Sequence, residues 1–361
     1  MASSAELAAT LSPEPVAHRE LRAGMPEIYP FYTHDGVKLR LTRHSGGSKG
    51  PVMLVHCIGV SSRMFKLDTV ATNLLEYLYE SGFDVWLLDM RLSIDLPAHS
   101  RQSSFDEIAL MDYPKAVARI LTETGASSVQ VVAHGIGSQT FCMAMLGGLR
   151  GVRSAVCSQV AMHPKPAGLN RIKSRLGLPS VLNRLGVEEM SAPPLEKTGW
   201  SDRAFSLAAS LHPVAPEEAC HSITCRRITA MYGPLYEHDM LNTATHDALP
   251  HIFGGANVRS FAHLIRNLRA GYVVREDGTN CYMRHLNRLA IPMLLLHGGD
   301  NACLLPASTR LSEQALVERN GEGLYRRHVI PRYGHVDCII GERAHQDVFP
   351  LIRTHLLETA A

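Results

Sequence analysis

The amino-acid sequence predicts an α/β fold in which a mostly parallel, doubly wound sheet carries an inserted helical lid. Short apolar runs alternate with helix-spaced segments over the first half of the chain, which is typical of a parallel sheet buried on both faces. The alternation stops after residue 163 and resumes near Pro292. We therefore expect one core interrupted by one insertion.

Each predicted element has its own signal. Alternating apolar residues on either side of Asp35 and Gly36 predict an opening hairpin, because an Asp-Gly pair favours a tight turn. Continuous apolar runs predict buried strands, and apolar residues three or four apart predict helices. The predicted strands span residues 28–33, 37–41, 52–55, 85–88, 129–134, 155–162, 292–298 and 325–331, and the predicted helices span 67–82, 105–124, 139–149, 169–185, a segment from about 308, and 344–357.

These signals divide the chain into four segments. Residues 1–24, rich in Ala, Ser, Pro and Glu, are predicted to be a flexible N-terminal arm. Residues 25–163 and 280–361 are the two parts of the core. Residues 164–279 are the lid, because Gly and Pro break the helical fragments there and buried strands are missing from the pattern.

The composition limits the classes of function. With 361 residues, of which 45% are hydrophobic and 19% charged, the chain can bury a large core. Its net charge of +2 comes from interspersed charges, which argues against a nucleic-acid partner. Eight cysteines without a CxxC pair indicate reduced thiols. The sequence has neither a signal-peptide pattern nor an 18-residue apolar run, so we expect a cytoplasmic protein with no membrane span and no cofactor.

Four motifs follow predicted strands in a fixed order. Residues 56–59 (HCIG) follow an early strand, residues 133–137 (AHGIG) lie between a strand and a helix, Asp300 follows a late strand, and His335 follows the last one. In the α/β-hydrolase fold the same order is oxyanion turn, nucleophile elbow, acid and base. The order and spacing together predict this fold.

Three segments narrow the resemblance. Residues 298–306 (GGDNACLLP), 333–338 (YGHVDC) and 232–236 (YGPLY) resemble α/β-hydrolase domains related to those fused to cholesterol-oxidase-like flavoenzymes. The likeness covers roughly residues 27–357. It implies a lid over a mostly apolar pocket, an esterase- or lipase-like ancestry, and a small hydrophobic ester or acyl substrate. Association with that family also suggests a flavoenzyme partner. A homodimer is the candidate oligomeric state.

The central residue of the elbow departs from that family. The family carries Cys or Ser there, whereas this chain carries Gly135. The elbow needs a positive φ, which costs about 1–3 kcal/mol for most residues and little for glycine. Gly135 therefore retains the turn without a nucleophile. Cys57 is the alternative nucleophile, although a small buried cysteine more often packs in a core.

The remaining groups of the predicted site are a base, an acid and two backbone donors. His335 is the predicted general base, and Asp300 is predicted to orient it. Asn301 is the rival position, because many relatives of the fold place the acid three residues after the glycine of the late-strand turn. The N–H groups of Ile58 and Ile136 are predicted to form the oxyanion hole.

Other titratable residues are assigned no chemistry. Asp337 is interpreted as structural, because it is too close in sequence to His335 to reach the far ring nitrogen. The lid residues fit no metal-binding spacing and are interpreted as a polar surface, so no metal site is predicted. These lid residues are His238, Asp239, His246, Asp247 and His251.

Three functions remain open at this point. The preferred one is an ester or thioester hydrolase in which Gly135 is an inactivating substitution of Cys or Ser. The second is a non-hydrolytic enzyme that uses His335 and Asp300 as a general base. The third is a catalytically inactive protein that holds a hydrophobic ligand in the lidded pocket.

Overall fold

A central sheet organises the part of the chain that the computed structural model describes, which is residues 19–175, 178–194, 199–212 and 220–360. The strands, in chain order, are β1 (Glu27–Tyr32), β2 (Lys38–Ser45), β3 (Pro51–Val55), β4 (Asp84–Asp89), β5 (Val129–His134), β6 (Val152–Ser158), β7 (Glu189–Ser191), β8 (Gly255–Asn257), β9 (Met293–Gly298) and β10 (Tyr325–Ile330). Of these, β7 and β8 form a separate two-stranded antiparallel sheet.

The main sheet has the strand order β1-β2-β4-β3-β5-β6-β9-β10. Antiparallel pairs join β1 to β2 and β2 to β4, and the other neighbours pair parallel. Every residue of β3, β4, β5 and β9 is buried. Continuous apolar runs in these strands are therefore explained by helices on both faces, and the predicted mostly parallel α/β sheet is confirmed.

Helices flank the sheet and build the region between β6 and β9. None of the helices in the described ranges is both long and apolar enough to cross a membrane. Residues Ile108–Asp112 form a π-helical turn, and short 3₁₀ turns lie at Ser62–Phe65, Pro97–Ser100, His238–Met240 and Met283–Leu289. The helices are α1 (Leu74–Glu80), α2 (Phe105–Glu107), α3 (Tyr113–Thr124), α4 (Ile136–Gly147), α5 (Gly168–Arg175), α6 (Leu178–Arg184), α7 (Trp200–Ser210), α8 (Ile223–Tyr232), α9 (Thr243–Asp247), α10 (Leu249–Ile252), α11 (Val258–Ala270), α12 (Ala307–Asn320), α13 (Asp337–Ile340), α14 (Ala344–Asp347) and α15 (Phe349–Glu358).

Helix α1 begins later than the apolar pattern predicts and anchors the start of the described chain. The Asn73 side chain accepts a hydrogen bond from the Glu76 N–H, and the Glu76 carboxylate accepts one from the Asn73 N–H. This capping box fixes the first turn at Leu74. The buried Glu76 carboxylate also accepts from Arg19 at 2.5 Å. Residues 1–18 of the predicted arm lie outside the described residues.

The helices between β6 and β9 have a buried polar centre of their own. Arg227 in α8 is 1% exposed and donates to the Asp202 carboxylate in α7 at 2.5 Å. It also donates to the carbonyl of Ser191 in β7 at 2.8 and 3.0 Å. Most N–H groups of this buried guanidinium therefore have acceptors on neighbouring elements, and these hydrogen bonds hold α7, α8 and β7 in a defined relative position.

Candidate active site

The turn from β5 to α4 places Gly135 at the carboxyl edge of the sheet. Its backbone has φ 56° and ψ −123°, which residues with a side chain rarely adopt. Helix α4 starts at the next residue, Ile136, so its N-terminal N–H groups point toward the space above Gly135. This is the strand-turn-helix geometry of a nucleophile elbow.

The side chain of Cys57 fills the space in front of Gly135. A Cβ atom built on Gly135 would lie 2.9 Å from His335 Nε2, and it would overlap Cys57 Sγ. Cys57 Sγ accepts a hydrogen bond from the Ile136 N–H at 3.3 Å. The sulfur therefore occupies the volume that a nucleophilic side chain on residue 135 would need.

The same sulfur lies against the two predicted oxyanion-hole donors. Burial raises the pKa of the Cys57 thiol to about 11, and hydrogen bonds from the N–H groups of Ile136 and Ile58 act in the opposite direction. The thiol is thus protonated at neutral pH. The N–H groups of Ile58 and Ile136 therefore lie next to each other, and the Cys57 sulfur is the acceptor for both.

The amide of Asn301 determines which nitrogen of His335 carries the proton. Asn301 Oδ1 accepts hydrogen bonds from the N–H groups of Cys303 at 3.0 Å and Leu304 at 2.9 Å. Its Nδ2 lies 2.9 Å from Gln159 Oε1 and 3.1 Å from His335 Nδ1. Because Nδ2 only donates, His335 Nδ1 accepts, and the proton of the neutral ring lies on Nε2.

The position of Asn301 corrects the prediction that Asp300 orients His335. Asp300 is exposed, and its N–H donates to the carbonyl of Tyr333 at 3.0 Å. Asn301 is 2% exposed and faces the ring. A carboxylate there would accept a hydrogen bond from Nδ1–H and leave Nε2 free as a base, whereas the amide produces the opposite tautomer.

His335 is neutral in this setting. The ring is 3% exposed, and burial holds its pKa well below the usual value, with the His134 and His297 side chains adding to the effect. The His134 ring lies 5.2 Å from it, centre to centre. His335 Nε2 therefore presents an N–H donor to the space around Gly135.

An apolar cavity ends at these residues. Cys57, Gly135 and His335 are among the residues that line it. The Tyr232 hydroxyl is buried and has no hydrogen-bond partner within the described ranges. The other walls are mainly apolar and include Val60, Met231, Leu235, Phe253, Phe261 and Leu264.

Two further groups were missed by the sequence interpretation. Gln159 has φ 78° and accepts from the Gly298 N–H at 3.0 Å, which aims its oxygen at Asn301. Between β6 and β9, four side chains converge so that their ligand atoms all lie within 4.8 Å of one another: Cys220, Cys225, His238 and His246. His238 and His246, which the sequence analysis interpreted as part of a polar surface, thus lie beside two cysteines.

Comparison with known proteins identifies lipases as relatives. The model described as "Alpha/beta hydrolase family" matches residues 52–351. Human lipase member K is 23% identical over 367 residues, covering 90% of this chain and 85% of that protein. Human lysosomal acid lipase/cholesteryl ester hydrolase is 32% identical over 133 residues, covering 32% of this chain and 33% of that protein.

Solved structures share the fold. The esterase Pf2001 of Pyrococcus furiosus has a TM-score of 0.52 at 12% identity, covering 93% of this chain and 94% of that one. DcsB in complex with its substrate analogue has a TM-score of 0.56 at 13% identity, covering 93% and 100%. These relatives lend no support to a flavoenzyme partner or a homodimer. The matched segment spans most of the sheet and the site, and the chain belongs to the alpha/beta hydrolase family.

Proposed function

We propose that this chain binds a hydrophobic acyl-type ligand in its lidded pocket without forming an acyl-enzyme. The observation that carries the proposal is the fixed amide of Asn301, whose Nδ2 lies 3.1 Å from His335 Nδ1. With the proton on Nε2, the imidazole donates toward the pocket and does not accept a proton from a nucleophile. Gly135 supplies no nucleophile, and Cys57 fills the oxyanion hole, so three requirements of acyl transfer are unmet together.

The pocket suits a ligand with an apolar chain and one oxygen-bearing end. Its walls are largely apolar, which favours an acyl chain. At the inner end, His335 Nε2–H and the Tyr232 hydroxyl are donors for a carbonyl or carboxylate oxygen. Lys173 also lines the cavity, and burial lowers its pKa to about 8, so it is mostly charged at neutral pH. Fatty acids and their esters have this combination of groups.

Filling the pocket with a large side chain is expected to weaken binding of a fluorescent fatty acid at least about tenfold. Leu264→Trp places an indole in the cavity, because Leu264 is a wall residue. Leu207→Trp is the matched control, since Leu207 is 64% exposed on α7. Fluorescence titration gives both affinities, and equal affinities in the two variants would contradict this location of the ligand.

The same preparations are tested for turnover of p-nitrophenyl esters and acyl thioesters. Binding without turnover, together with acyl lipid recovered by mass spectrometry after purification, is the result expected from a binding function. Turnover by the unaltered chain that disappears in His335→Ala would instead assign an enzyme, and the binding proposal would then be rejected.

The second candidate is ester or thioester hydrolysis of a hydrophobic acyl substrate with Cys57 as the nucleophile. The observation that favours it is the position of Cys57 Sγ in the volume next to His335 Nε2. It requires the His335 proton to move from Nε2 to Nδ1, against the hydrogen bond from Asn301. A mass increase of one acyl group on the intact chain, absent in Cys57→Ala, would establish this route.

A further inference from the structure

The lid holds a compact group of sulfur and nitrogen ligands outside the pocket. Cys220, Cys225, His238 and His246 each contribute one ligand atom, and all four atoms lie within 4.8 Å of one another. Cys225 is buried, and its Sγ is 3.2 Å from His238 Nε2. The His238 and His246 rings are 5.3 Å apart, centre to centre.

Three separate chain segments supply these ligands. Cys220 precedes α8, and Cys225 lies in its first turn, where the Ser222 side chain caps the helix by accepting from the Cys225 N–H. His238 begins a 3₁₀ turn, and His246 lies in α9. Cysteine binds metals in its thiolate form.

We propose that these four side chains form a structural Zn²⁺ site. Two thiolates and two imidazoles are a typical tetrahedral zinc set, and four protein ligands leave no open position for catalysis. Tetrahedral bonds of about 2.3 Å to sulfur and about 2.0 Å to nitrogen place the ligand atoms about 3.3–3.8 Å apart. Ligand atoms that are farther apart than this, within the 4.8 Å limit of the cluster, must move closer together when the ion binds.

Two observations beyond proximity support a ligand at this place. His246 Nε2 is buried and has no hydrogen-bond partner within the described part of the chain. The Tyr236 hydroxyl lies 2.8 Å from Cys225 Sγ, as an outer-shell group that stabilises a ligand would. The ligand spacing C-x₄-C-x₁₂-H-x₇-H also has the Cys–Cys and Cys–His intervals of Cys₂His₂ sites, with a longer interval between the histidines.

The site would fix the lid against the loop that carries His335. Between the ligands Cys225 and His238, the Leu235 carbonyl accepts from the N–H groups of His335 at 2.9 Å and Val336 at 2.7 Å. Metal binding restrains both ends of the segment that makes these contacts. Zinc is thus expected to stabilise the closed arrangement of the lid over the inner end of the pocket.

The test is metal analysis and cobalt substitution of the full-length chain under reducing conditions. We expect one zinc per chain, and after metal removal we expect Co²⁺ to give the intense visible bands of a tetrahedral site with thiolate charge-transfer bands in the near ultraviolet. Zn²⁺ should displace Co²⁺ and raise Tm by several degrees. Less than about a tenth of an equivalent after reconstitution, or a cobalt spectrum without thiolate bands, would overturn the proposal.

Matched variants locate the site. Cys225→Ser and His246→Asn should lose the thiolate-cobalt spectrum or weaken metal binding at least about a hundredfold. Cys281→Ser and His251→Asn change the same residue types outside the cluster and should bind like the parent chain. Unchanged binding in both ligand variants would contradict the assignment. Circular dichroism checks their folding, and if either variant fails to fold, the cobalt spectrum of the parent still decides.

Discussion

Gly135→Ser alone is expected to remain inactive toward p-nitrophenyl esters. The triple variant Gly135→Ser/Asn301→Asp/Cys57→Gly should hydrolyse these esters at least about 10³-fold faster than Gly135→Ser does. The serine alone would meet the Cys57 sulfur, because a Cβ on residue 135 already overlaps that atom. Cys57→Gly opens this space and frees the N–H donors of Ile58 and Ile136, which the sulfur now contacts.

The Asn301→Asp change supplies the largest part of the expected gain. In the present structure Asn301 Nδ2 donates to His335 Nδ1 and leaves the proton on Nε2. A carboxylate accepts from Nδ1–H, so Nε2 becomes the base that removes the serine proton. In serine proteases the reverse change, from aspartate to asparagine, lowers kcat about 10⁴-fold because it imposes the wrong tautomer.

Initial rates on a panel of acyl lengths, with intact-mass detection of the acyl-enzyme, measure this effect. His335→Ala in the triple variant should abolish the gain, and Asp300→Asn should leave it intact, because Asp300 is exposed. Full activity of Gly135→Ser without the other two changes would show that the tautomer and the filled oxyanion hole do not limit the reaction. A folded but inactive triple variant would contradict the assigned site geometry.

The sheet and the order of the site motifs could be predicted because they depend on local sequence. Apolar runs indicated the buried strands, and the glycines of residues 133–137 indicated a tight strand-to-helix turn. Gly135 and His335 were both assigned to the predicted site from these patterns, and the structure places them next to each other. A buried parallel strand has few alternative interpretations, since its whole length must be apolar.

The choice between Asp300 and Asn301 could not be made from sequence. The two residues are adjacent in one loop, and the path of the loop determines which side chain faces His335. The Asp300 N–H pairs with the Tyr333 carbonyl, and this turns the next side chain, Asn301, toward His335. Gln159 gave no signal, because its role depends on a positive φ at the end of β6. Neither contact follows from composition or periodicity.

The cysteine–histidine cluster between β6 and β9 was missed for a different reason. Cys220 and Cys225 are separated by four residues and therefore do not form a CxxC pair. Their histidine partners come from segments between β6 and β9 without regular periodicity. Only tertiary packing brings these three segments together, so the spacing alone gave too weak a signal.

Acidification is expected to unfold the chain between about pH 5 and about pH 3, because several histidines are buried in the neutral form. Burial lowers the pKa of His134 to about 3 and those of His297 and His355 to about 4, from 6.5. A depressed folded-state pKa means that the stability is fully present above pH 6.5 and is lost as the pH falls. Each histidine removes up to about 1.4 kcal/mol per pH unit.

Three such groups together lower the free energy of unfolding by about 4 kcal/mol for each pH unit below the pKa that they have in the unfolded chain. The whole free energy of unfolding of a typical protein is about 5–15 kcal/mol. Urea unfolding followed by circular dichroism at several pH values measures the slope. His355→Leu should reduce it by about 1.4 kcal/mol per pH unit, since the buried His355 Nε2 has no hydrogen-bond partner within the described ranges. His251→Leu, at an exposed position, should leave it unchanged. A histidine that is buried in the neutral form must take up a proton when the chain unfolds at low pH, so the free energy of unfolding must fall with pH. A free energy of unfolding that stays constant down to about pH 5 would therefore mean that these histidines are hydrated or partnered in solution.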